Sequence, residues 1–288
     1  MSGPRAGELD AAALVAAALA EDVGDGDRTS LWAVPAGARG AARIVAREAG
    51  VVAGAGPAGE VFRAVDPELE ARWERADGDR VGAGDVVATV EGPLGGLLTA
   101  ERTALNFLGR LSGIATLTAR FVAAVEGTGC RITDTRKTTP GWRRLEKAAV
   151  AAGGGASHRF GLYDMVLVKE NHIRAAGGVT AVLERVLPPA RAEGLPVEIE
   201  VTTLEELEQA LAASPDRILL DNMGPDRLRA CVARTASADP PRPLLEASGG
   251  VALASVREIA GTGVDVVSVG ALTHSAPALD LSLLVEEA

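Results

Sequence analysis

The chain has 288 residues, 47% hydrophobic but only 3% aromatic, and a net charge of −10. That length fits one large α/β barrel or two domains, and a core of Ala, Val, Leu and Ile suits helices packed on buried parallel strands. The acidic balance argues against nucleic acid as a partner; no signal peptide and no apolar run of membrane-spanning length is read, so no membrane association and a cytoplasmic location are expected.

In chain order, residues 7–20 read as a helix, its alanine-rich run interrupted by Glu21-Asp22. Residues 41–53 and 70–91 read as strands rich in Val and Ile, cut by the turns Asp77-Gly78-Asp79 and Gly82-Ala83-Gly84-Asp85, with a short helix at 58–65 between them. This mixture is an α+β domain rather than a barrel repeat. A long helical pattern runs from Thr99 to about Val125, with Leu105, Leu108, Leu111, Ile114 and Leu117 near one face and Gly113 as a point of breakage or kinking. The domain boundary is placed there.

From Cys130 the texture changes to six short β-rich runs, each followed by a polar residue or glycine. They lead to Asp134 and Arg136, Lys169, Glu200, Asp221, Ser248 and Gly270. Helical segments fill the gaps, one opened by the capping box Thr203–Glu206. Strands alternating with helices at this spacing predict a parallel α/β barrel or partial barrel, whose functional groups gather at the C-terminal strand ends. Cys130 and Cys231 lie in no metal-ligand or redox spacing and read as buried free thiols.

All three lysines, Lys137, Lys147 and Lys169, fall in one stretch of a chain otherwise furnished with arginine. The window 131–174 carries about +5 within an acidic protein, which marks a place for an anionic ligand. In Asp134–Gly141, Arg136 offers a fork suited to a carboxylate and Lys137 a point charge suited to a phosphate, with the Thr135 hydroxyl as a further donor. Gly153–Gly155 leads to His158 and Arg159 and lets backbone amides approach a phosphate. Lys169 is an anion donor, a Schiff-base former or a snorkelling side chain. Glu200 and Asp221 end neighbouring strands and could coordinate Mg²⁺, stabilise a cationic transition state or pair with nearby arginines. Ser248-Gly249-Gly250 and Gly270-Ala271-Leu272 stand where such barrels build phosphate sites from backbone amides.

Glu101-Arg102-Thr103, Asp134–Pro140, His158–Leu162, Lys169–His172, Glu198–Val201, Leu219–Asn222, Glu246–Gly250 and Val269–Ser275 occur in this order. With them, the chain resembles the quinolinate phosphoribosyltransferase family over nearly its whole length. The resemblance implies an N-terminal α/β sandwich domain at 1–112, an open α/β barrel of parallel strands at 113–274, and a C-terminal segment, 275–288, returning to the first domain. It implies transfer of phosphoribosyl from phosphoribosyl pyrophosphate to quinolinate with decarboxylation, giving nicotinate mononucleotide, pyrophosphate and CO₂. It also implies Mg²⁺, no organic cofactor, and a homodimer or higher assembly in which Arg102 acts in trans. Carried over by motif, Arg102, Arg136, Arg159 and Lys169 hold the dicarboxylate, and Lys137, His158 and Lys169 contact the phosphoribosyl donor, with Thr135 alongside. Glu200 and Asp221 face ribose and metal; Ser248, Gly249, Gly250, Val269, Gly270 and Ala271 cradle the 5-phosphate. Lys137, Lys169, Glu200 and Asp221 are the catalytic candidates. Rival readings are a related phosphoribosyltransferase-like protein linked to molybdate transport and a Schiff-base aldolase using Lys169. A carrier hairpin at 77–92 is disfavoured because residues 1–136 contain no lysine.

Overall fold

The computed structural model of the chain describes residues 10–237 and 241–286. Its contacts divide into two units. One comprises Met1–Ala119, Thr138–Gly154 and Leu272–Ala288, the other Arg120–Lys137 and Gly155–Ala271. The fold class is the expected one: a sandwich-like α/β unit with an antiparallel sheet, and an open barrel of parallel strands.

In the first unit four antiparallel strands lie in the order Leu281–Val285, Arg39–Ala46, Val86–Pro93, Glu70–Trp73. Alternation along Arg39–Ala46 turns Ala42, Ile44 and Ala46 inward and leaves Arg43 exposed. The inward face packs with Val15, Val61, Phe62, Leu97, Phe107 and Leu108 from the flanking helices into one apolar cluster. The first helix spans Ala11–Val23 and carries on through Glu21-Asp22 until Gly24 ends it at φ 56°. Both residues are exposed, and Asp22 accepts from Thr103 Oγ1 at 3.2 Å. Residues 7–9 of the predicted helix lie outside the described residues.

The helix Leu94–Ala124 is unbroken over 31 residues, so Gly113 does not stop it. Glycine stands there for another reason. A Cβ at 113 would come within 1.9 Å of the Pro277 carbonyl oxygen, and next to it Leu279 donates its amide to Gly109 O at 2.9 Å. The C-terminal segment therefore crosses the helix at backbone contact, which only a bare Cα permits. The segment Thr138–Gly154, with its helix Arg143–Ala152, joins the same unit: Trp142 stacks on Phe107 at 4.7 Å. The fully buried Glu146 accepts from Thr139 N, Thr139 Oγ1 and Arg110, and Arg110 also donates to the carbonyls of Ala276 and Thr273. A buried carboxylate is tolerable because its oxygens are this well supplied with donors.

In the second unit the six expected strands form one parallel sheet. The order is Arg131–Thr133, Val266–Ser268, Leu244–Ser248, Arg217–Asp221, Val197–Val201, Val166–Val168. The first and last are not paired with each other, which leaves the barrel open. The helix Leu204–Ala213 begins with the predicted box: Thr203 Oγ1 accepts from Glu206 N, and the Glu206 carboxylate accepts from Thr203 N.

Candidate active site

The register of the parallel strands sets the site. Glu198 is paired with Arg217, Glu200 with Leu219, Leu219 with Glu246, and Asp221 with Ser248. Paired residues and those two apart along a strand share a face, so Glu198, Glu200, Arg217, Asp221, Glu246 and Ser248 all point to the same side of the sheet. The barrel interior is thus lined by charge where hydrophobic layers are usual. Glu198 and Glu246 are fully buried there.

At the strand ends, Lys169 Nζ lies 3.2 Å from Glu200 Oε2, with the lysine half exposed. Asp221 accepts from Asn222 Nδ2 at 2.7 Å. Two carboxylates on one face of neighbouring strands, each with one oxygen uncommitted among the described residues, are a hard-oxygen donor set that fits Mg²⁺ keeping most of its waters.

Arg136 and Arg159 form the second group. Arg159 is buried, and Arg136 carries its Nε buried without a hydrogen-bond partner. Burial and then the Arg136 charge hold the Arg159 guanidinium below its ordinary pKa, against the opposing charges of Glu198 and Asp164. Among the described residues neither arginine is in an ion pair, and Arg159 reaches only the Met165 carbonyl, at 3.3 Å. Two neighbouring guanidiniums, one buried and neither in an ion pair, are a fitting receptor for an anion that offsets their mutual repulsion. Thr135 Oγ1 accepts the Lys137 amide at 3.0 Å, which shapes the turn and leaves the Lys137 side chain exposed.

His158, expected from the resemblance to contact the phosphoribosyl donor, lies beside two glutamates. Its side chain is buried, with Nε2 2.9 Å from Glu198 Oε2 and 3.5 Å from Glu246 Oε1, while Nδ1 accepts the Arg159 amide at 2.7 Å. Its own amide donates to the buried Asp134 at 2.8 Å. Both ring nitrogens face protein atoms. Burial works to lower the imidazole pKa, but the Glu198 contact and the charges of Glu246 and Glu198 outweigh it and raise it. Burial and Glu198 likewise raise the Glu246 carboxyl. The ligand atoms of His158, Glu198 and Glu246 lie within 4.8 Å of one another, as in a metal cluster. With Nδ1 accepting a hydrogen bond, however, the ring proton sits on Nε2, and that nitrogen is closed to a metal.

Two glycine loops follow the strands ending at Ser248 and Ser268. Gly249 and Gly250 take φ 98° and 61°, and a Cβ at Gly249 would meet Asn222 Oδ1 at 2.1 Å. In the other loop Val269 is buried and its amide donates to Thr133 O at 2.9 Å. Arg102 is exposed on the Leu94–Ala124 helix, in the first unit. The residues that sequence reasoning passed over are Glu198, Glu246 and Arg217, whose guanidinium lies 2.8 Å from Glu246. The alternation Val197-Glu198-Ile199-Glu200-Val201 held the signal, since it puts Glu198 on the face of Glu200.

The chain matches two family models, described as quinolinate phosphoribosyl transferase, N-terminal domain, over residues 27–112, and C-terminal domain, over residues 114–284. It is 46% identical over 282 residues to the nicotinate-nucleotide pyrophosphorylase (carboxylating) of Mycobacterium leprae, which covers 96% of this chain and 98% of that one. It is 45% identical over 267 residues to a probable nicotinate-nucleotide pyrophosphorylase (carboxylating) of Synechocystis, covering 93% and 90%. The structure of the nicotinate-nucleotide pyrophosphorylase from Francisella tularensis matches with a TM-score of 0.90 at 37% identity, covering 99% of this chain and all of that one.

Proposed function

The chain belongs to the quinolinate phosphoribosyltransferase family, and from that premise we propose that it transfers phosphoribosyl to quinolinate with loss of CO₂, giving nicotinate mononucleotide in NAD biosynthesis. The observation that carries the reading on this chain's own residues is the neighbouring pair Arg136 and Arg159, the second buried and the first with its Nε enclosed and unpartnered, neither held in an ion pair among the described residues. It fits a planar dicarboxylate, one carboxylate to each fork. Lys169 and, across a dimer interface, the partner's Arg102 add the remaining positive charge.

In the proposed reaction the pyridine nitrogen attacks the anomeric carbon of phosphoribosyl pyrophosphate and the C–O bond to pyrophosphate breaks. Glu200 and Asp221, on one face beneath the ribose, stabilise the oxocarbenium-like charge. The same two carboxylates would hold Mg²⁺, which would supply charge neutralisation for the pyrophosphate leaving group. Lys137 holds the donor, and the loops at Ser248–Gly250 and Val269–Ala271 hold its 5-phosphate. The C2 carboxylate then leaves as CO₂, its bonding electrons stabilised next to the new pyridinium, and C2 takes up a proton. Most of the rate comes from positioning and fixed charge. A reducing, cytoplasmic setting accords with Cys130 and Cys231 being free buried thiols, the first pushed up to about 12 by burial and the Asp265 charge. No helix among the described residues is long and apolar enough to cross a membrane.

The test is release of labelled CO₂ from carboxyl-labelled quinolinate. Release is expected only with phosphoribosyl pyrophosphate and a divalent ion together. No release with both supplied overturns the function, and full release in excess chelator overturns the metal.

A further inference from the structure

The interior charge cluster has no part in the chemistry just described. Glu198 and Glu246 are fully buried, and Glu198 Oε1 has no hydrogen-bond partner among the described residues. A barrel interior that needed only packing would carry aliphatic side chains here, because an ionised carboxylate without its full set of donors is expensive to bury. What the two carboxylates face is the His158 ring. The groups around that ring are Glu198, Glu246 and Arg217 from three adjacent strands, Asp134 from the strand end beyond, and Arg159 next in the chain.

A neutral imidazole has one donor nitrogen and one acceptor. Ionised carboxylates can only accept, so they select the form that carries its proton on Nε2. That selection makes Nδ1 the acceptor, and Nδ1 is the atom that takes the Arg159 amide at 2.7 Å. Exchange the tautomer, and two N–H groups would face each other at that contact. The Asp134 bond to the His158 amide fixes the other side of the same dipeptide.

We propose that Glu198 and Glu246 are positioning residues for the dicarboxylate site: by fixing the tautomer and orientation of His158 they hold the Arg159 backbone, and so the direction in which Arg159 presents its guanidinium. The inference rests on the proposed function, in which Arg159 receives a carboxylate. It reassigns His158 from contacting substrate to holding its neighbour.

Glu198→Gln keeps the shape and removes the acceptor-only character, since the new amide can donate to Nε2 and admit the other tautomer. Steady-state kinetics are expected to show KM for quinolinate raised about tenfold, as for a displaced binding group. The turnover number and KM for phosphoribosyl pyrophosphate should stay within twofold. In an Arg159→Ala background the same substitution is expected to add less than twofold, because the residue it acts through is gone. An unchanged KM, or the same factor with and without Arg159, overturns the proposal. If Arg159→Ala by itself leaves KM for quinolinate unchanged, the assignment of the site fails instead, a separate outcome. A second measurement does not depend on any variant folding. The chain has three histidines, so ¹⁵N-histidine labelling resolves them individually. His158 is expected to carry its proton on Nε2 with Nδ1 unprotonated at pH 8, and a proton on Nδ1 overturns the proposal.

Discussion

Replacing Arg159 or Arg136 by alanine measures what the neighbouring guanidinium pair is for. Each variant loses one charge-assisted bond to a carboxylate in a desolvated setting, about 2 kcal/mol, or about 30-fold in the quinolinate requirement. The pair adds a second contribution, because the Arg136 charge works against that of Arg159 in the absence of ligand. A bound dianion relieves that repulsion, and either single substitution forfeits the relief along with its own contact. The double variant can forfeit the relief only once, so its loss should fall short of the sum of the two single losses. The assay is CO₂ release at saturating phosphoribosyl pyrophosphate, titrating quinolinate, followed by the reverse titration. KM for the phosphoribosyl donor should stay within about twofold in both variants, and Lys137→Ala should show the opposite preference. Equal rises for both substrates, or single losses that simply add, would refute the reasoning.

Three further outcomes are expected. Mixing Arg102→Ala with Lys169→Ala protein, each nearly inactive, should restore activity on subunit exchange if Arg102 completes the partner's site, because one site of each heterodimer then receives neither defect; no recovery despite demonstrated exchange would place Arg102 elsewhere. Gly113→Ala gains about 1 kcal/mol of helix propensity but must push the Pro277 carbonyl off the helix, so Tm should fall, and a raised Tm would contradict the close approach. Burial tends to raise the Asp265 carboxyl, but its bonds to Arg242, the Leu245 amide and the charges of Arg242 and Arg131 outweigh this and hold it below the ordinary value. A carboxyl with a lowered folded pKa contributes stability that is present above its unfolded value, about 3.9, and is lost as pH falls through the folded one. The stability gap between wild type and Asp265→Asn, measured by urea unfolding, should therefore close on acidification; a gap that stays constant below pH 4 would contradict the ion pair's role.

Much of the barrel was readable because a parallel strand advertises itself twice, as a β-branched run and as the functional residue that ends it. Met165–Val168 before Lys169 and Ile218–Leu220 before Asp221 are of this kind. Arg136 and Arg159 were readable as cations, but their adjacency was not, since it depends on the bridge between Thr133 and Ala156 that brings the two loops together. His158 reads as a ligand because a histidine beside an arginine in a glycine-rich loop looks like one; only the fold shows the two glutamates beside its ring. Gly113 was misjudged for a similar reason. In local terms a glycine in a helix is a weakness, and the segment that needs its bare Cα lies more than 150 residues downstream. The helix Arg143–Ala152 lies between barrel strands in the sequence yet packs with the first unit through Trp142 and Glu146, and no local pattern announces that.

The pairing of Leu281–Val285 with Arg39–Ala46 has a consequence for how the chain is made. Until those last residues leave the ribosome, Arg39–Ala46 has an unpaired edge and the groove over Gly109 and Gly113 has no occupant. The whole second unit is synthesised in that interval, with its contacts drawn from one side of the gap. The unit that begins the chain is therefore the one that finishes folding last, and it waits with an open strand edge, the feature most prone to pair with the wrong chain. Loss of the final strand would be felt as aggregation during synthesis before it was felt as a slower enzyme.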